Sequence, residues 1–356
     1  MIDVAIVGAG PAGSNCAYML AQKGIYPIVF DHSHPREKPC GGMIGSAVKE
    51  MFPILDKLSI EHSERNSMYV ISPSETTWII HLGKRRLLGF SRSKFDQHLL
   101  NMAVNEGAIL IPEKVTGFER RSGWWKVRTQ KQSYEIKTIV GADGVNSLVR
   151  RNIIGPLNKK DQGACFGYLV KGLERENIII KFLPKSEGYI WVIPRGDNTS
   201  IGGGTAEICH FHELKQEINA FVKKCYPQAE KISTWTALIP NVKNAKTFRD
   251  PVAGPNWMLI GDAAGHVSPV SGSGISYALL DGEIAADAVV NGHPEQFNEM
   301  WVKAYGQGLF LETQLRGMIY RRPLLELYCM YMKFRSMMPF AETWIENLMA
   351  SSRKVN

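Results

Sequence analysis

The chain carries six cysteines, Cys16, Cys40, Cys165, Cys209, Cys225 and Cys329, dispersed without a CxxC pair or a metal-ligand spacing among them. That dispersal excludes a zinc module or a disulfide scaffold and reads as reduced thiols of a cytoplasmic protein. No apolar run approaches the ~20 residues that a bilayer-crossing helix needs. No signal-peptide pattern is expected ahead of the first strand, because Met1-Ile2-Asp3 leads straight into it. The basic excess, a net +8 over 356 residues, is spread rather than gathered into one segment. With no nucleic-acid module beside it, the charge argues against a nucleic-acid partner and suits anionic headgroups, a phosphorylated substrate or plain solubility.

What the chain does have appears at once. The apolar run Val4-Ala5-Ile6-Val7 opens into Gly8-Ala9-Gly10-Pro11-Ala12-Gly13. A glycine turn between a buried strand and a helix start lets backbone N–H groups approach a pyrophosphate, and the helix dipole favours its charge. Ser14 to Lys23 reads as the helix, Gly24 as its end, and Ile28-Val29-Phe30 as a second strand closing at Asp31. Asp31 stands about 20 residues beyond the glycines, where a carboxylate meets a ribose hydroxyl. Two more strand-to-loop junctions follow, Ile139 to Ser147 with Asp143 at its turn, and Trp257 to Ala264 with Gly261-Asp262. A helix from about Gly274 continues the second of these.

Three such junctions scattered along the sequence converge on one extended cofactor. Their order resembles the FAD-dependent oxidoreductases of the aromatic hydroxylase superfamily, with GxGxxG, "DG" and "GD" fingerprints. Two further segments, Pro39-Cys40-Gly41-Gly42 and Gly188-Tyr189-Ile190-Trp191-Val192-Ile193-Pro194, resemble the geranylgeranyl reductase family. That family has a CGG segment near the flavin and a PxxYxWxFP signature lining the substrate cavity. Here Ser186 replaces the first proline and Ile193 the phenylalanine, while Tyr189, Trp191 and Pro194 are kept.

The resemblance implies an FAD site built from Gly8, Gly10, Ala12, Gly13, Asp31, Cys40, Gly41, Gly42, Arg92, Val115, Asp143, Gly261, Asp262, Gly272, Gly274 and Ile275. It implies substrate contacts at Tyr189, Trp191 and Pro194, a catalytic position at Cys40 and no metal. The fold expected is α/β, with a Rossmann-type FAD-binding domain interleaved with a mixed β-sheet substrate domain and a C-terminal helical segment. Residues 1–45, 90–155 and 246–295 would form the first, 46–89 and 156–245 the second, and 296–356 the third.

Several of these residues have more ordinary readings. Arg92 opens a helix that Ser91 would cap, and its alternative is a helix-start salt bridge. Tyr189 and Trp191 share a strand face and either fill the core or line a cavity. The residues alone favour the core; the resemblance favours the cavity. An isolated cysteine is ordinarily a small buried apolar residue, but Pro39 and two glycines give Cys40 a backbone permissive enough to pass close to a flavin. Whether it acts as acid or gate stays open. His266 suits a hydrogen bond within its loop better than acid–base work, since no partner carboxylate is identifiable in sequence. Pro269, Gly272 and Gly274 shape the flavin-facing loop.

From about Phe297 the chain turns helical and rich in methionine and aromatics, from Met318 and Tyr320 through Phe334 to Met337 and Met338, with Arg316, Arg321, Arg322, Lys333 and Arg335 between them. This suits a helical lid, with peripheral membrane contact as an addition.

The function that the resemblance implies is reduction of isolated C=C bonds in an isoprenoid chain carried by a prenyl diphosphate, an ether phospholipid or a quinone. Only one dinucleotide fingerprint is present, so NAD(P)H docks transiently at the flavin or a ferredoxin supplies the electrons. Two other classes share the fingerprints. One is a flavin monooxygenase or halogenase, since Trp191-Val192-Ile193-Pro194 also resembles the WxWxIP segment of halogenases without its first tryptophan. The other is a flavin-binding regulatory protein without turnover. No sequence feature specifies an oligomeric state.

Overall fold

A computed structural model describes residues 1–56 and 58–336. The strand Ile2–Val7 is buried through Val4 to Val7 and lies at the centre of a parallel sheet. Across that sheet run Trp257–Leu259, Ser133–Gly141, Ile2–Val7, Ile28–Phe30 and Ile109–Ile111, each parallel to its neighbour. Burial on both faces explains the unbroken apolar runs seen in sequence. The helix Pro11–Gln22 begins three residues before the expected Ser14, because Pro11 sits at a first-turn position whose missing N–H costs the helix nothing. Val115–Arg121 and Trp124–Thr129 join Ser133–Gly141 as the expected antiparallel meander.

A second sheet has seven strands, in the order Glu230–Pro240, Gln162–Lys171, Thr199–Thr205, Gly188–Pro194, Ile178–Phe182, Ser67–Ile71 and Thr77–His81. It is mixed: Ile178–Phe182 runs parallel to Ser67–Ile71 and every other pairing is antiparallel. The helix Phe211–Cys225 lies within a stretch read from sequence only for its strands. Its Leu214, Ile218 and Val222 recur at helical spacing and pack on Phe166, Tyr168, Val170, Ile190, Val192 and Ile201. Alternation then turns Tyr189, Trp191 and Ile193 to the opposite face.

A small antiparallel sheet, Met43–Gly45, Leu87–Phe90 and His62–Arg65, was not anticipated; its Ser63 hydroxyl donates to the Pro194 carbonyl of the second sheet. We treat the division into interleaved domains as a proposal, and the segregation of strands between the two large sheets supports it.

The helix Arg92–Asn105 starts where expected, but Ser91 does not cap it. The capping is done from elsewhere. Glu37 accepts the N–H groups of Arg92 and Ser93 at 3.2 and 3.1 Å and the Ser91 hydroxyl at 2.6 Å. An ionised carboxylate outcompetes a neutral hydroxyl for these amides at a helix start.

The C-terminal part is helical: Phe297–Trp301, a π-helical turn Val302–Gly306, Gln307–Ile319 and Arg322–Ser336. Met337 and Met338 lie outside the described residues. Among the described residues no helix is long and apolar enough to cross a membrane. The π turn accompanies an inward Tyr305, whose hydroxyl reaches both Asp281 and His266. Asp281 is fully buried and also accepts the Gly261 N–H at 2.7 Å and lies 2.8 Å from His266 Nδ1.

Asp281→Ala would strand these three buried partners at about 1–3 kcal/mol each. We expect the apoprotein to lose roughly 3 kcal/mol or more, read as a lowered denaturant midpoint. An unchanged midpoint would show that the cluster does not hold the fold.

Candidate functional site

The first junction opens onto a cleft of about 720 Å³ lined by Gly8, Gly10, Ala12, Asp31, Val115, Asp143 and Asp262 among others. Gly8 has φ +99°, and a Cβ there would lie 2.5 Å from the Ala142 carbonyl oxygen. At Gly13 a Cβ would stand 1.9 Å from the Gly8 oxygen, so the turn closes only on a bare backbone. No side chain caps the helix Pro11–Gln22, which leaves its first amides to an incoming phosphate. A Cβ at Gly10 would meet nothing within 4 Å, so a side chain there would project into open space at the cleft wall.

Asp31 lines the cleft, yet its carboxylate already accepts Ala9 N–H at 2.8 Å and both the N–H and hydroxyl of Ser33 at 2.7 and 2.6 Å. Burial pushes its pKa up, but the donors from Ser33 and Ala9 outweigh that and hold it below the usual range. Its first task is therefore to fix the glycine turn, with lone-pair capacity left for one ribose hydroxyl. Asp143 serves its own turn in the same way. It accepts from the Ser147 hydroxyl and from the Leu148 and Val149 amides at 2.5, 2.6 and 3.2 Å, capping the helix Leu148–Ile153. Its pKa is nonetheless raised by burial.

Asp262 faces the cleft and pairs with Lys38 at 2.9 Å. Burial would raise its pKa, and Lys38 and Arg92 bring it below the ordinary value. Lys38 immediately precedes Pro39 and Cys40, which line a second cavity, of about 380 Å³. Gly272, Gly274 and Ile275 line that second cavity too. A cofactor with a nucleotide end and a ring end would follow this path. The uncapped helix start, the bare Gly10 wall and the paired Asp262 fit FAD.

The second cavity is walled by Met68, Val70, Ile180, Phe182, Tyr189, Trp191, Trp235 and Ile239, with Cys40, Gly41 and Gly42 also lining it. Gly42 has φ +72°, and a Cβ there would meet the Phe90 oxygen at 2.2 Å. Cys40 is held through its backbone. Its carbonyl accepts from Ser200 Oγ at 3.2 Å, and that oxygen accepts from Trp191 Nε1 at 3.0 Å. The Arg92 guanidinium, buried in a two-pronged bond with Asp96 at 2.7 and 2.8 Å, lies near the Cys40 thiol. Arg92 thus makes the ordinary helix salt bridge and also stands at the Cys40 loop.

Tyr189 and Trp191 come together, ring centroids 6.0 Å apart, and Trp191 stacks on Trp235 at 5.9 Å. The Tyr189 hydroxyl is engaged, donating to the Ser271 carbonyl, so it also holds the loop that carries Gly272. Burial drives its pKa far above the phenol range. Pro194 does not join them and is not among the residues lining the cavity. Alternation turns it off that face, and its carbonyl accepts from Ser63 Oγ at 2.5 Å.

His266 is fully buried and lines neither cavity, so the hydrogen-bonding reading fits its geometry. Its carboxylate partner, Asp281, is separated from it by a loop and a helical turn. Sequence reasoning missed Asp281, Lys38, Ser200 and the pair Glu187–Arg316 at the second cavity. Only Lys38, beside the CGG segment, had a signal.

Residues 1–290 match the FAD binding domain family. The chain is 30% identical over 310 residues to a geranylgeranyl diphosphate reductase of Rhodobacter capsulatus, covering 81% of this chain and 75% of that one. It is 28% identical over 341 residues to a digeranylgeranylglycerophospholipid reductase of Methanococcus vannielii, covering 85% and 80%. Among solved structures, a geranylgeranyl bacteriochlorophyll reductase-like protein of Thermoplasma acidophilum shares the fold with TM-score 0.75 at 21% identity, covering 99% and 96% of the two chains. A flavin-dependent brominase does so with TM-score 0.68 at 20% identity, covering 99% and 98%.

Gly13→Asp sets a side chain against the Gly8 carbonyl and a charge against the phosphate position, and the purified variant is expected to lose its flavin. A variant that copurifies with a full complement would displace the phosphate turn from this site. Acid should release flavin by a separate route. Because the folded Asp31 pKa is depressed, its bonds persist above the ordinary aspartate range and are lost as pH falls through the folded value. Flavin in an ultrafiltrate should rise on that acid limb, and Asp31→Asn should leak flavin already at neutral pH and flatten the limb. Identical profiles for the two proteins would remove Asp31 from cofactor retention.

Proposed function

This chain belongs to the geranylgeranyl reductase family within the FAD binding domain family, and from that membership we propose that it saturates isolated C=C bonds of an isoprenoid chain. It is an FAD-dependent oxidoreductase. The observation that carries the proposal is the second cavity, about 380 Å³ with a largely apolar wall and the Cys40 loop among its lining residues. That volume falls within the range of small-molecule sites, roughly 300–1,000 Å³.

FAD, when bound, supplies hydride-transfer chemistry. An isolated alkene is a poor hydride acceptor, so the protein must orient it and exclude water. Tyr189 and Trp191, with Met68, Ile180 and Phe182, form the wall that would hold the chain. Trp191 Nε1 and the Tyr189 hydroxyl are already bonded within the protein, so the wall presents ring faces rather than free donors. Cys40 Sγ, near the Arg92 guanidinium and positioned by Ser200 through its backbone, would hold the proton for the second alkene carbon. Gly41, Gly42, Gly272, Gly274 and Ile275 would face the ring end of the cofactor. Gly8, Gly10, Ala12, Gly13, Val115, Asp143, Gly261 and Asp262 would position the rest. The carrier of the chain is lipid-like: Tyr328 and Met332 of the helix Arg322–Ser336 line the cavity while Leu327, Met330, Tyr331 and Phe334 of the same helix are exposed. The electron donor in this proposal is NAD(P)H or a ferredoxin.

Dithionite-reduced protein, incubated anaerobically with polyprenyl lipids, should add two hydrogens per double bond by mass spectrometry, whichever donor serves in the cell. Recovery of unreduced lipid with oxygen- or halide-dependent product under aerobic turnover would favour the monooxygenase or halogenase reading. Turnover of nothing would favour a regulatory flavoprotein.

Cys40→Ser should keep its FAD while alkene-dependent reoxidation slows by about 10²-fold or more, because a hydroxyl is a much weaker acid than a thiol. Reduction by the donor should change less, since it does not require the alkene. A wild-type reoxidation rate would leave Cys40 as wall only, and loss of FAD would make the loop a cofactor clamp.

A further inference from the structure

The loop Ser268 to Gly274 leads into the helix Ile275–Val290, and its residues Pro269 to Gly274 line the second cavity. Side chains from outside the loop set its shape. Three successive carbonyls, of Pro269, Val270 and Ser271, accept from Asn241 Nδ2 at 3.4 Å, from the Tyr320 hydroxyl at 2.8 Å and from the Tyr189 hydroxyl. Within the loop, buried Ser268 closes the turn. Its carbonyl takes the Gly272 N–H at 2.9 Å, its own N–H donates to the Ser273 carbonyl at 3.0 Å, and its hydroxyl oxygen takes the Ser271 N–H at 3.0 Å. Gly272 supplies the reversal, with φ +68°.

The Ser268 hydroxyl donates in turn to Glu312 Oε2 at 2.5 Å. A hydroxyl has one proton to give, so the bond to Glu312 leaves a lone pair turned toward the Ser271 amide. Glu312 thereby shapes the loop through Ser268 while lining neither cavity. It belongs to the helix Gln307–Ile319, and two more polar residues follow it at four-residue spacing. Arg316 pairs with Glu187 beside the strand Gly188–Pro194, and Tyr320 at the helix end reaches Val270. Residues spaced i, i+4 and i+8 fall on one helix face. That face carries three fastenings, two of them to the loop. Tyr320 also lines the second cavity, its ring edge-on to Phe182 with centroids 6.3 Å apart. Burial keeps its pKa above the ordinary phenol range, so its hydroxyl stays a donor.

Resting on the function proposed above, we propose that Glu312 and Tyr320 are positioning residues: they hold the Ser268–Gly274 loop, and with it the start of the helix Ile275–Val290, against the ring end of the cofactor. Among the described residues no side chain caps that helix, so the direction of its first amides is set by the loop that delivers them. Tyr189 and Tyr320 each present a ring to the cavity and a hydroxyl to the loop. The same two side chains therefore place the bound chain and the ring-facing loop in one frame, and a shift of about 1 Å between them is enough to cost up to about 10²-fold in rate. The helix Gln307–Ile319 braces the site rather than only covering it.

The test uses FAD-loaded protein and the variants Tyr320→Phe, Glu312→Ala and Glu312→Gln. The first removes one oxygen and keeps the ring, the second removes the acceptor for Ser268, and the third keeps an acceptor without the charge. Visible circular dichroism of the bound flavin reports its surroundings without turnover. It should change in Tyr320→Phe and Glu312→Ala and stay near wild type in Glu312→Gln. Anaerobic reoxidation of the dithionite-reduced proteins is then followed against concentration of geranylgeraniol, with digeranylgeranylglycerol as a second probe. The limiting rate should fall about tenfold in Tyr320→Phe and Glu312→Ala while the half-saturating concentration moves by no more than about twofold, and Glu312→Gln should recover most of the rate. Wild-type dichroism and rate in Tyr320→Phe would overturn the proposal, and that variant alone decides if Glu312→Ala does not fold. A loss confined to the half-saturating concentration would also overturn it, since that marks a wall contact only. So would a Glu312→Gln variant as impaired as Glu312→Ala, which would make the charge rather than the bond the operative feature. Dichroism that responds as expected, with neither probe reoxidising the wild type, would instead bring down the isoprenoid reading and leave the brace in place.

Discussion

The segment between Asp31 and Gly42 has no helix or strand of its own, and the position of the whole site depends on how it is pinned. Glu37 is the central fastening. Its carboxylate takes the Ser91 hydroxyl and two amides from the start of the helix Arg92–Asn105, and Arg195 Nη1 at 2.8 Å from just beyond the strand Gly188–Pro194. Burial alone would push Glu37 toward its neutral form, but Arg195 and the three donors reverse that and keep it ionised. One charge thereby locks the Cys40 loop to the helix Arg92–Asn105 and to the end of the strand Gly188–Pro194. Asp31 does the same at the loop's beginning and Lys38, through Asp262, near its end.

Fastenings of this kind fix geometry more than they add stability. Taking the Arg92–Asp96 pair out of water costs several kcal/mol per ion, which the forked bond offsets only when its geometry is good. A hydrophobic pair in the same space would hold the helix as well, but it would not set a cation beside the Cys40 thiol. The arrangement therefore makes sense as orientation of Cys40 rather than as reinforcement of the core. Asp281 plays the corresponding part beneath the Gly261 turn, reached from the C-terminal helices through Tyr305.

Much of the fold was legible because it rests on local periodicities: apolar runs for the parallel strands, alternation for Gly188–Pro194, and glycine turns at the junctions. The nucleotide cleft was legible for the same reason, since Gly8, Gly13 and Asp262 act where the chain itself turns. What stayed hidden depends on partners far apart in sequence. Ser91 reads as a helix cap until a carboxylate from residue 37 takes its place. His266 reads as lacking an acidic partner until the helix Ile275–Val290 brings Asp281 beside it. Pro194 belongs to a shared signature, yet strand alternation, which the same sequence displays, already turns it away from Tyr189 and Trp191. The helix Phe211–Cys225 had its signal in Leu214, Ile218 and Val222, overlooked because the strands around it dominate the pattern.

The strand Gly188–Pro194 shows how one short sequence sets both rigidity and selectivity. Ile190 and Val192 anchor it to the helix Phe211–Cys225 on one face, so the strand is held by apolar burial there. On the other face Tyr189 and Trp191 are each fixed by a hydrogen bond, to Ser271 and Ser200, and Trp191 is stacked on Trp235. Side chains with both a packed ring and a satisfied polar atom have little rotamer freedom left to lose when a ligand arrives. The wall is therefore preorganised, and under the proposed function a flexible polyprenyl chain would bear the ordering cost of binding. Selectivity then rests on the fixed shape of this wall, since the Tyr189 hydroxyl and Trp191 Nε1 have no free donor left with which to adapt to a different ligand.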